Sequence, residues 1–374
     1  MKPKLLFFAT EDWFFRSHFL FLAQRARQEG FEVVLAARST NVFAAGEIRV
    51  VDLSFSRGSL NLWDVCRQVL RVRSLMSREN PDVIHVMGLR PILLVLFARI
   101  RRPGRVFALT GRGYLSVGRA VWTRLLRLGV QRLLRKEMSA PNSVLLVENA
   151  ADARWVEDGR PLPARQVMLM PGAGVDARAY TVSPEPSVGP IIVGVAARLV
   201  WSKGVDVAVR AVQRLRAARH DVVLRIAGEP DFENPERVAD KEINDWRAQT
   251  GIELLGHLAD INAFWAGVHI ACIPSRGGEG LPRALLEAAA CGRPIITTDT
   301  PGCRDFASGA EVGIVVPASD VDACAEAIRS LLNDGGARRR FGAAARKLVE
   351  EAYTLEQAAD RAAQSWRAAS GLAL

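Results

Sequence analysis

The stretch GGEGLPRALLEAAACGRPIITTDTPGC, Gly277 to Cys303, places Glu279 and Glu287 eight residues apart across a glycine-rich turn and a helix start. Pro282 suits the first turn of a helix, and Gly277, Gly278 and Gly280 let the backbone before it turn tightly. Glu279 therefore falls in the loop. Glu287 falls on the helix five residues past Pro282, about 7.5 Å along an axis that rises roughly 1.5 Å per residue. Helix-terminal and glycine-loop amides favour an anion beside the two carboxylates, and Gly280, Leu281 and Pro282, which carry the loop into the helix, are binding candidates. Two glutamates in isolation would be read as solvated side chains. Their setting argues otherwise.

Upstream, VGVAARLVWSKGVD, Val193 to Asp206, carries Arg198 and Lys203 between an apolar run and a helical pattern starting at Gly204. Either cation alone would be ordinary surface charge in a connecting loop. Fixed together at a strand end, they can neutralise a departing diphosphate, the work that a divalent ion does elsewhere, so no metal ligand is assigned. A diphosphate flanked by sugar and ribose hydroxyls fits these cations and the two carboxylates.

Working outward, short apolar runs alternate with helical patterns along the whole chain. Leu5–Ala9, Phe31–Ala36, Asp82–Val86, Arg105–Leu109 and Ser143–Val147 read as strands of a first half. Ile191–Ala196, Val222–Ala227, Ile252–Leu255, Val268–Ile273, Pro294–Thr297 and Gly313–Val316 read as strands of a second. This pattern predicts an α/β protein of two Rossmann-like, doubly wound parallel-sheet domains facing a central cleft, where ligands gather beyond the strands' carboxyl ends. The expected division is an N-terminal domain over 1–180, a linker over 181–190 rich in proline, a C-terminal domain over 191–353 and a terminal helix over 354–374.

The 374 residues, 49% hydrophobic and 24% charged, suit two folded domains rather than a disordered chain. Acidic Glu11 and Asp12 interrupt the first apolar run too early for a signal peptide, and His85, Arg90 and Pro91 break the longest later one. A cytoplasmic location is expected. The five cysteines lack metal-ligand spacing and read as reduced thiols, most of them core filler. Charge is uneven: residues 1–180 hold 28 Lys+Arg against 15 Asp+Glu, net +13, and the remainder holds 22 against 25, net −3. No acidic residue occurs from Val83 through Lys136, so the first half should attract phosphates. Between Arg119 and Lys136, Trp122, Leu126, Val130 and Leu133 share one helical face, with Arg124, Arg127 and Arg135 nearly opposite. Packing on the chain's own sheet and peripheral docking on the inner face of an anionic membrane both fit that helix.

Together the basic pair and the glutamate pair, in this order, resemble family 4 glycosyltransferases of the GT-B architecture, as does PGAGVD, Pro171 to Asp176. That resemblance implies a retaining, metal-independent transfer from a nucleotide sugar, with UDP the expected carrier. By that likeness Arg198 and Lys203 bind the donor phosphates, Glu279 holds the donor sugar and Glu287 the ribose hydroxyls. Gly256 and Leu258, in LLGHL, fall where relatives receive the nucleobase. TEDWFFRSHF, Thr10 to Phe19, and LTGRGY, Leu109 to Tyr114, follow strands of the first half and supply His18 and Gly111 as acceptor-side candidates. Many relatives carry a histidine where this chain has Thr110 to Tyr114, so Glu11, Asp12 and His18 are its substitutes. His85 reads as a strand histidine, and Ser319 and Asp320 as helix caps rather than metal ligands. The signatures most resemble bacterial enzymes building lipid-linked oligosaccharide, capsule or O-antigen, among which N-acetylhexosamine donors are common. The expected partners are thus a nucleotide sugar and a lipid-linked or polysaccharide acceptor. Competing readings are a nucleotide-sugar epimerase of the same architecture, which would release no nucleoside diphosphate, and a nucleic-acid binder, which would leave the glutamate and glycine patterns unexplained.

Overall fold

A computed structural model describes residues 2–44, 46–54, 61–113, 121–308 and 311–371. It divides into two compact units, residues 1–173 with 355–374, and residues 174–354. In unit 1 the chain runs β1 (Lys4–Glu11), α1 (Asp12–Gln28), β2 (Glu32–Arg38), β3 (Arg49–Asp52), α2 (Leu62–Glu79), β4 (Val83–Met87), α3 (Leu89–Ala98), β5 (Gly104–Leu109), α4 (Val121–Glu137), β6 (Ser143–Val147), α5 (Ala150–Glu157) and β7 (Val167–Leu169). All pairings are parallel, in the order β3-β2-β1-β4-β5-β6-β7. Side chains alternate across β1. Leu5, Phe7 and Ala9 enter one buried cluster with α1, while Leu6 and Phe8 enter another with α2 and α3. A parallel sheet covered on both faces needs such continuous apolar strands.

Unit 2 runs β8 (Ile191–Ala196), α6 (Val205–Ala217), β9 (Val222–Ala227), α7 (Asp240–Arg247), β10 (Ile252–Gly256), α8 (Ile261–Ala266), β11 (Ile270–Ile273), α9 (Arg283–Ala290), β12 (Ile295–Thr298), α10 (Pro301–Ala307), β13 (Gly313–Val316), α11 (Val321–Leu332) and α12 (Gly335–Ala352). Its parallel sheet has the order β10-β9-β8-β11-β12-β13. Winding reverses between β8 and β11, the position where open α/β sheets bind ligands beyond their carboxyl edge.

Two boundaries differ from expectation. Thr181–Pro190 is not a free linker: the Ser183 carbonyl accepts from Arg293 at 2.8 Å, Glu185 pairs with Arg338 at 2.9 Å, and the Pro186 carbonyl meets His269 Nε2 at 3.0 Å. These bonds fasten the proline-rich segment to unit 2, and the first unit ends before residue 180. The terminal helix α13 (Leu355–Ser370) belongs to unit 1, where fully buried Trp366 donates from Nε1 to Nδ1 of His85 on β4 at 2.8 Å. His85 is thus a core histidine, as its strand position implied. Its Nε2 has no hydrogen-bond partner among the described residues.

Candidate active site

Every proposed donor-side residue belongs to unit 2 and to segments at or beyond the carboxyl ends of its strands. Arg198 follows β8, and Lys203 closes the short helical turn Trp201–Lys203 just before α6. Glu279 occupies the loop from β11 to α9, and Glu287 lies on α9. Strand order explains the meeting of the first three segments. β8 and β11 are hydrogen-bonded neighbours at the reversal point, so their distant loops emerge side by side.

Two glycines permit that approach. Gly204 has φ +67°, and a Cβ there would come within 1.9 Å of the Pro274 carbonyl oxygen, so the Lys203 loop can press directly on the end of β11. A Cβ on Gly302 would meet the Gly280 carbonyl at 1.6 Å, which seats the start of α10 against the glutamate loop. Neither α6 nor α9 has a side-chain N-cap, unlike α2, α5, α8, α11 and α12, whose caps are Asn or Asp. Asp320 caps α11 through Ala323 N at 2.9 Å, the role expected of it.

Lys203 Nζ forms an ion pair with Glu279 Oε2, and the other Glu279 oxygen accepts from Ser275 Oγ at 2.8 Å. Both charged side chains are about four-fifths covered, with 21% and 19% exposure. Arg198 is more open, at 48%, and pairs with Asp231. Sequence spacing placed two cations at a strand end, and the folded chain gives each of them a carboxylate. An incoming polyanion would exchange with those carboxylates rather than meet unscreened charge. Asp231 went unnoticed in the sequence because it comes from the loop after β9, and only the β8–β9 pairing brings it near.

Glu287 is buried and paired with Arg283 at 2.8 Å, one helical turn away. Burial pushes its carboxyl above the ordinary range, although the Arg283 charge and a hydrogen bond from Tyr180 pull the other way. Burial and the Glu287 charge likewise raise the Tyr180 hydroxyl. Glu287 is therefore a buried carboxylate whose neighbours do not fully offset the cost of its charge, and it gains from a further donor such as a sugar hydroxyl. Tyr180 and Arg283 were not among the expected site residues. The Arg283 contact follows from the four-residue spacing along α9, whereas Tyr180 is brought in by packing of α9 against the start of unit 2, which no local spacing reveals.

Gly280, Leu281 and Pro282 are buried, and Leu281 packs in an apolar cluster with Leu285 and Ile273, so its side chain supports the loop from within. Gly256 ends β10 with φ +69° beside Glu229, whose Oε1 accepts from His257 N at 3.4 Å, and Leu258 is partly buried against that same cluster.

In unit 1, His18 lies on α1 with its ring on Phe14, 4.6 Å between centroids, and Nδ1 2.6 Å from Ser17 Oγ. Gly111 is in the loop after β5 with φ +123°. Glu11 and Asp12, considered as substitutes for a missing histidine, are built into the unit instead. Glu11 is buried against Arg38 at 2.9 Å, and Asp12 accepts from Thr40 N and Oγ1, both at 2.7 Å. Arg112, next to Gly111, pairs with buried Asp152 at 2.7 Å and covers the Trp155 ring. Tyr114, also in that motif, lies outside the described residues. On α4, Val130 and Leu134 are buried, but Leu125 and Leu126 are 65% and 46% exposed, so the first turns leave apolar surface uncovered. Trp122, expected on that face, lies outside the described side chains. Among the described residues no helix is long and apolar enough to cross a membrane.

Comparison with known proteins identifies the family and the fold. The family description Glycosyltransferase Family 4 matches residues 16–171, and Glycosyl transferases group 1 matches residues 179–348. The chain is 33% identical over 209 residues to a Corynebacterium glutamicum GDP-mannose-dependent monoacylated alpha-(1-6)-phosphatidylinositol monomannoside mannosyltransferase, covering 50% of this chain and 53% of the relative. It thus spans about half the length of that curated relative. Over 325 residues it is 24% identical to a Campylobacter jejuni N,N'-diacetylbacillosaminyl-diphospho-undecaprenol alpha-1,3-N-acetylgalactosaminyltransferase, covering 82% of this chain and 83% of the relative. Its fold matches Anabaena Alr3699/HepE, solved with UDP and glucose, with TM-score 0.74 and 16% identity over 97% of this chain and 99% of that chain. The chain therefore belongs to the glycosyltransferases of the GT-B fold, with a family 4 N-terminal region and a group 1 C-terminal region.

Proposed function

We propose that this chain moves a sugar from a nucleotide sugar, UDP-linked and of the N-acetylhexosamine class, to a lipid-linked or polysaccharide acceptor in cell-envelope glycan synthesis. The observation that carries this reading is the Lys203–Glu279 pair at the β8–β11 reversal point, with Arg198 beyond the same strand. When the donor enters, Lys203 and Arg198 turn from their carboxylates to the diphosphate and stabilise it as the sugar leaves. Glu279, released from Lys203, takes the donor sugar hydroxyls, and Glu287 takes those of the ribose. The acceptor hydroxyl attacks the face from which the diphosphate departs, so the anomeric configuration is retained. Because the two cations offset the developing charge, no divalent ion is required.

The activities of relatives support this reading in part. One uses GDP-mannose, one transfers N-acetylgalactosamine to a diphospho-undecaprenol carrier, and one fold neighbour binds UDP. Binding of UDP, GDP and their sugars, followed by thermal unfolding, selects the donor, since a specific ligand raises stability by mass action. Stabilisation by UDP-N-acetylhexosamines above GDP-mannose is the expected result; the reverse order removes UDP. Nucleoside diphosphate must appear when acceptor is added, which an epimerase would not produce.

The same reading includes an anionic membrane surface facing unit 1. Leu125, Leu126 and Leu128 are exposed on α4 beside exposed Arg124 and Arg132, a mixed apolar and cationic face suited to an anionic bilayer. Such docking gives a cytoplasmic enzyme access to lipid-linked acceptors.

A further inference from the structure

Arg276 lies three residues before Glu279, in the loop leaving β11, and does more than fill a turn. Its guanidinium donates to Asp206 through Nη1 at 2.7 Å and Nη2 at 2.8 Å. Nη1 also reaches the Trp201 carbonyl at 2.6 Å, and Nε reaches Ser319 Oγ at 2.9 Å. Its backbone N–H donates to the Ser202 carbonyl at 2.8 Å. Three separate loops are joined by one side chain: the turn carrying Lys203, the glycine loop carrying Glu279, and the connection from β13 to α11.

The partners are themselves constrained. Asp206 is buried in the first turn of α6; burial opposes its ionisation, but Arg276 and Arg210 override that and hold its carboxyl below the ordinary range. Ser319 has φ +66°, a left-handed conformation uncommon outside glycine, and its hydroxyl is turned to Arg276. Only a planar fork with separate Nε and Nη donors can serve all these acceptors at once; a lysine ammonium is a single point.

We propose that Arg276 is a positioning residue that sets the separation of Lys203 from Glu279, and so aligns the leaving diphosphate with the donor sugar. This rests on the donor-site reading above. The two residues it aligns lie on loops from different strands, joined otherwise by the main-chain bond from Arg276 N to the Ser202 carbonyl and by their own ion pair, which the entering donor breaks. From that moment Arg276 holds the two loops in register.

The test uses the full chain and whichever of UDP-N-acetylglucosamine, UDP-N-acetylgalactosamine, UDP-glucose or GDP-mannose supports nucleoside diphosphate release. Arg276→Gln and Arg276→Lys are compared with Lys203→Ala for kcat, donor KM and thermal midpoint. Misplacement of reacting groups by about 1 Å costs on the order of 100-fold in rate. Arg276→Gln should therefore lose about that factor in kcat with little change in donor KM, and Arg276→Lys should recover part of it. Should the glutamine variant fold poorly, the lysine variant still reads the same split. Unchanged kcat in both variants, or a loss fully explained by lower stability, overturns the positioning role. A raised KM at constant kcat also overturns it, because that marks uniform binding instead. If Lys203→Ala alone retains full turnover, the donor-site reading fails first and takes this role with it.

Discussion

Replacing His85 with glutamine should flatten the acid sensitivity of unit 1. His85 is buried on β4 with its ring 5.4 Å from Phe7 and 6.1 Å from Trp366, and burial lowers its pKa from 6.5 to about 3. Below pH 6.5 the unfolded chain takes up a proton that the folded unit refuses, so stability present above that pH is lost progressively down to about pH 3. At about 1.36 kcal/mol per pH unit, the loss is roughly 2 kcal/mol at about pH 5. Glutamine keeps an acceptor for the Trp366 indole and removes the titrating group. Urea unfolding of both proteins between about pH 7 and pH 5 isolates the effect by difference, since every other titrating group is shared. The wild-type advantage or deficit relative to the variant should shift by about 2 kcal/mol over that interval, against the wild type in acid. Equal pH dependence in the two proteins would mean that His85 titrates normally within the fold, and the burial reasoning would fail.

Lys203→Ala or Arg198→Ala should each cost about 2.7–4 kcal/mol of transition-state stabilisation, by analogy with the loss of one oxyanion donor, measured as kcat/KM for nucleoside diphosphate release. Unchanged values in both would remove the leaving-group role. Because the folded carboxyl of Glu287 titrates above its ordinary 4.5, its charge costs stability as pH rises through that range. Glu287→Gln should therefore gain stability relative to wild type toward neutral pH, while nucleoside affinity falls by roughly 1.5–3 kcal/mol in calorimetry. A variant with wild-type nucleoside affinity would clear Glu287 of ribose binding. Reversing Arg124 and Arg132 to glutamate should weaken binding to phosphatidylglycerol vesicles by at least about 2 kcal/mol, at roughly 1 kcal/mol per cation. Equal sedimentation of variant and wild type with those vesicles would dismiss the membrane face.

What could be read along the chain was whatever depends on near neighbours. Continuous apolar runs such as Leu5–Ala9 and Ile191–Ala196 announced buried parallel strands, because a sheet covered on both faces leaves no polar alternation. Glycines before Pro282 located a loop and helix start, and the eight-residue spacing of Glu279 and Glu287 divided them between the two. The short edge strands β3 and β7 escaped notice, since half-buried edges need little apolar sequence. The proline-rich Thr181–Pro190 read as a linker because the carbonyls and the carboxylate that bind it to unit 2 find their partners about 80 to 150 positions away.

Only the folded arrangement decided the rest. Strand order made neighbours of β8 and β11, and thereby of Lys203 and Glu279, 76 positions apart. Other long-range contacts supplied Asp231 to Arg198 through the β8–β9 pairing, Asp206 to Arg276 between neighbouring loops, and Trp366 to His85 within unit 1. Charge and hydrogen bonding act through space over a few ångströms, so which carboxylate answers which cation is settled when the sheet closes, and local sequence carries no record of it.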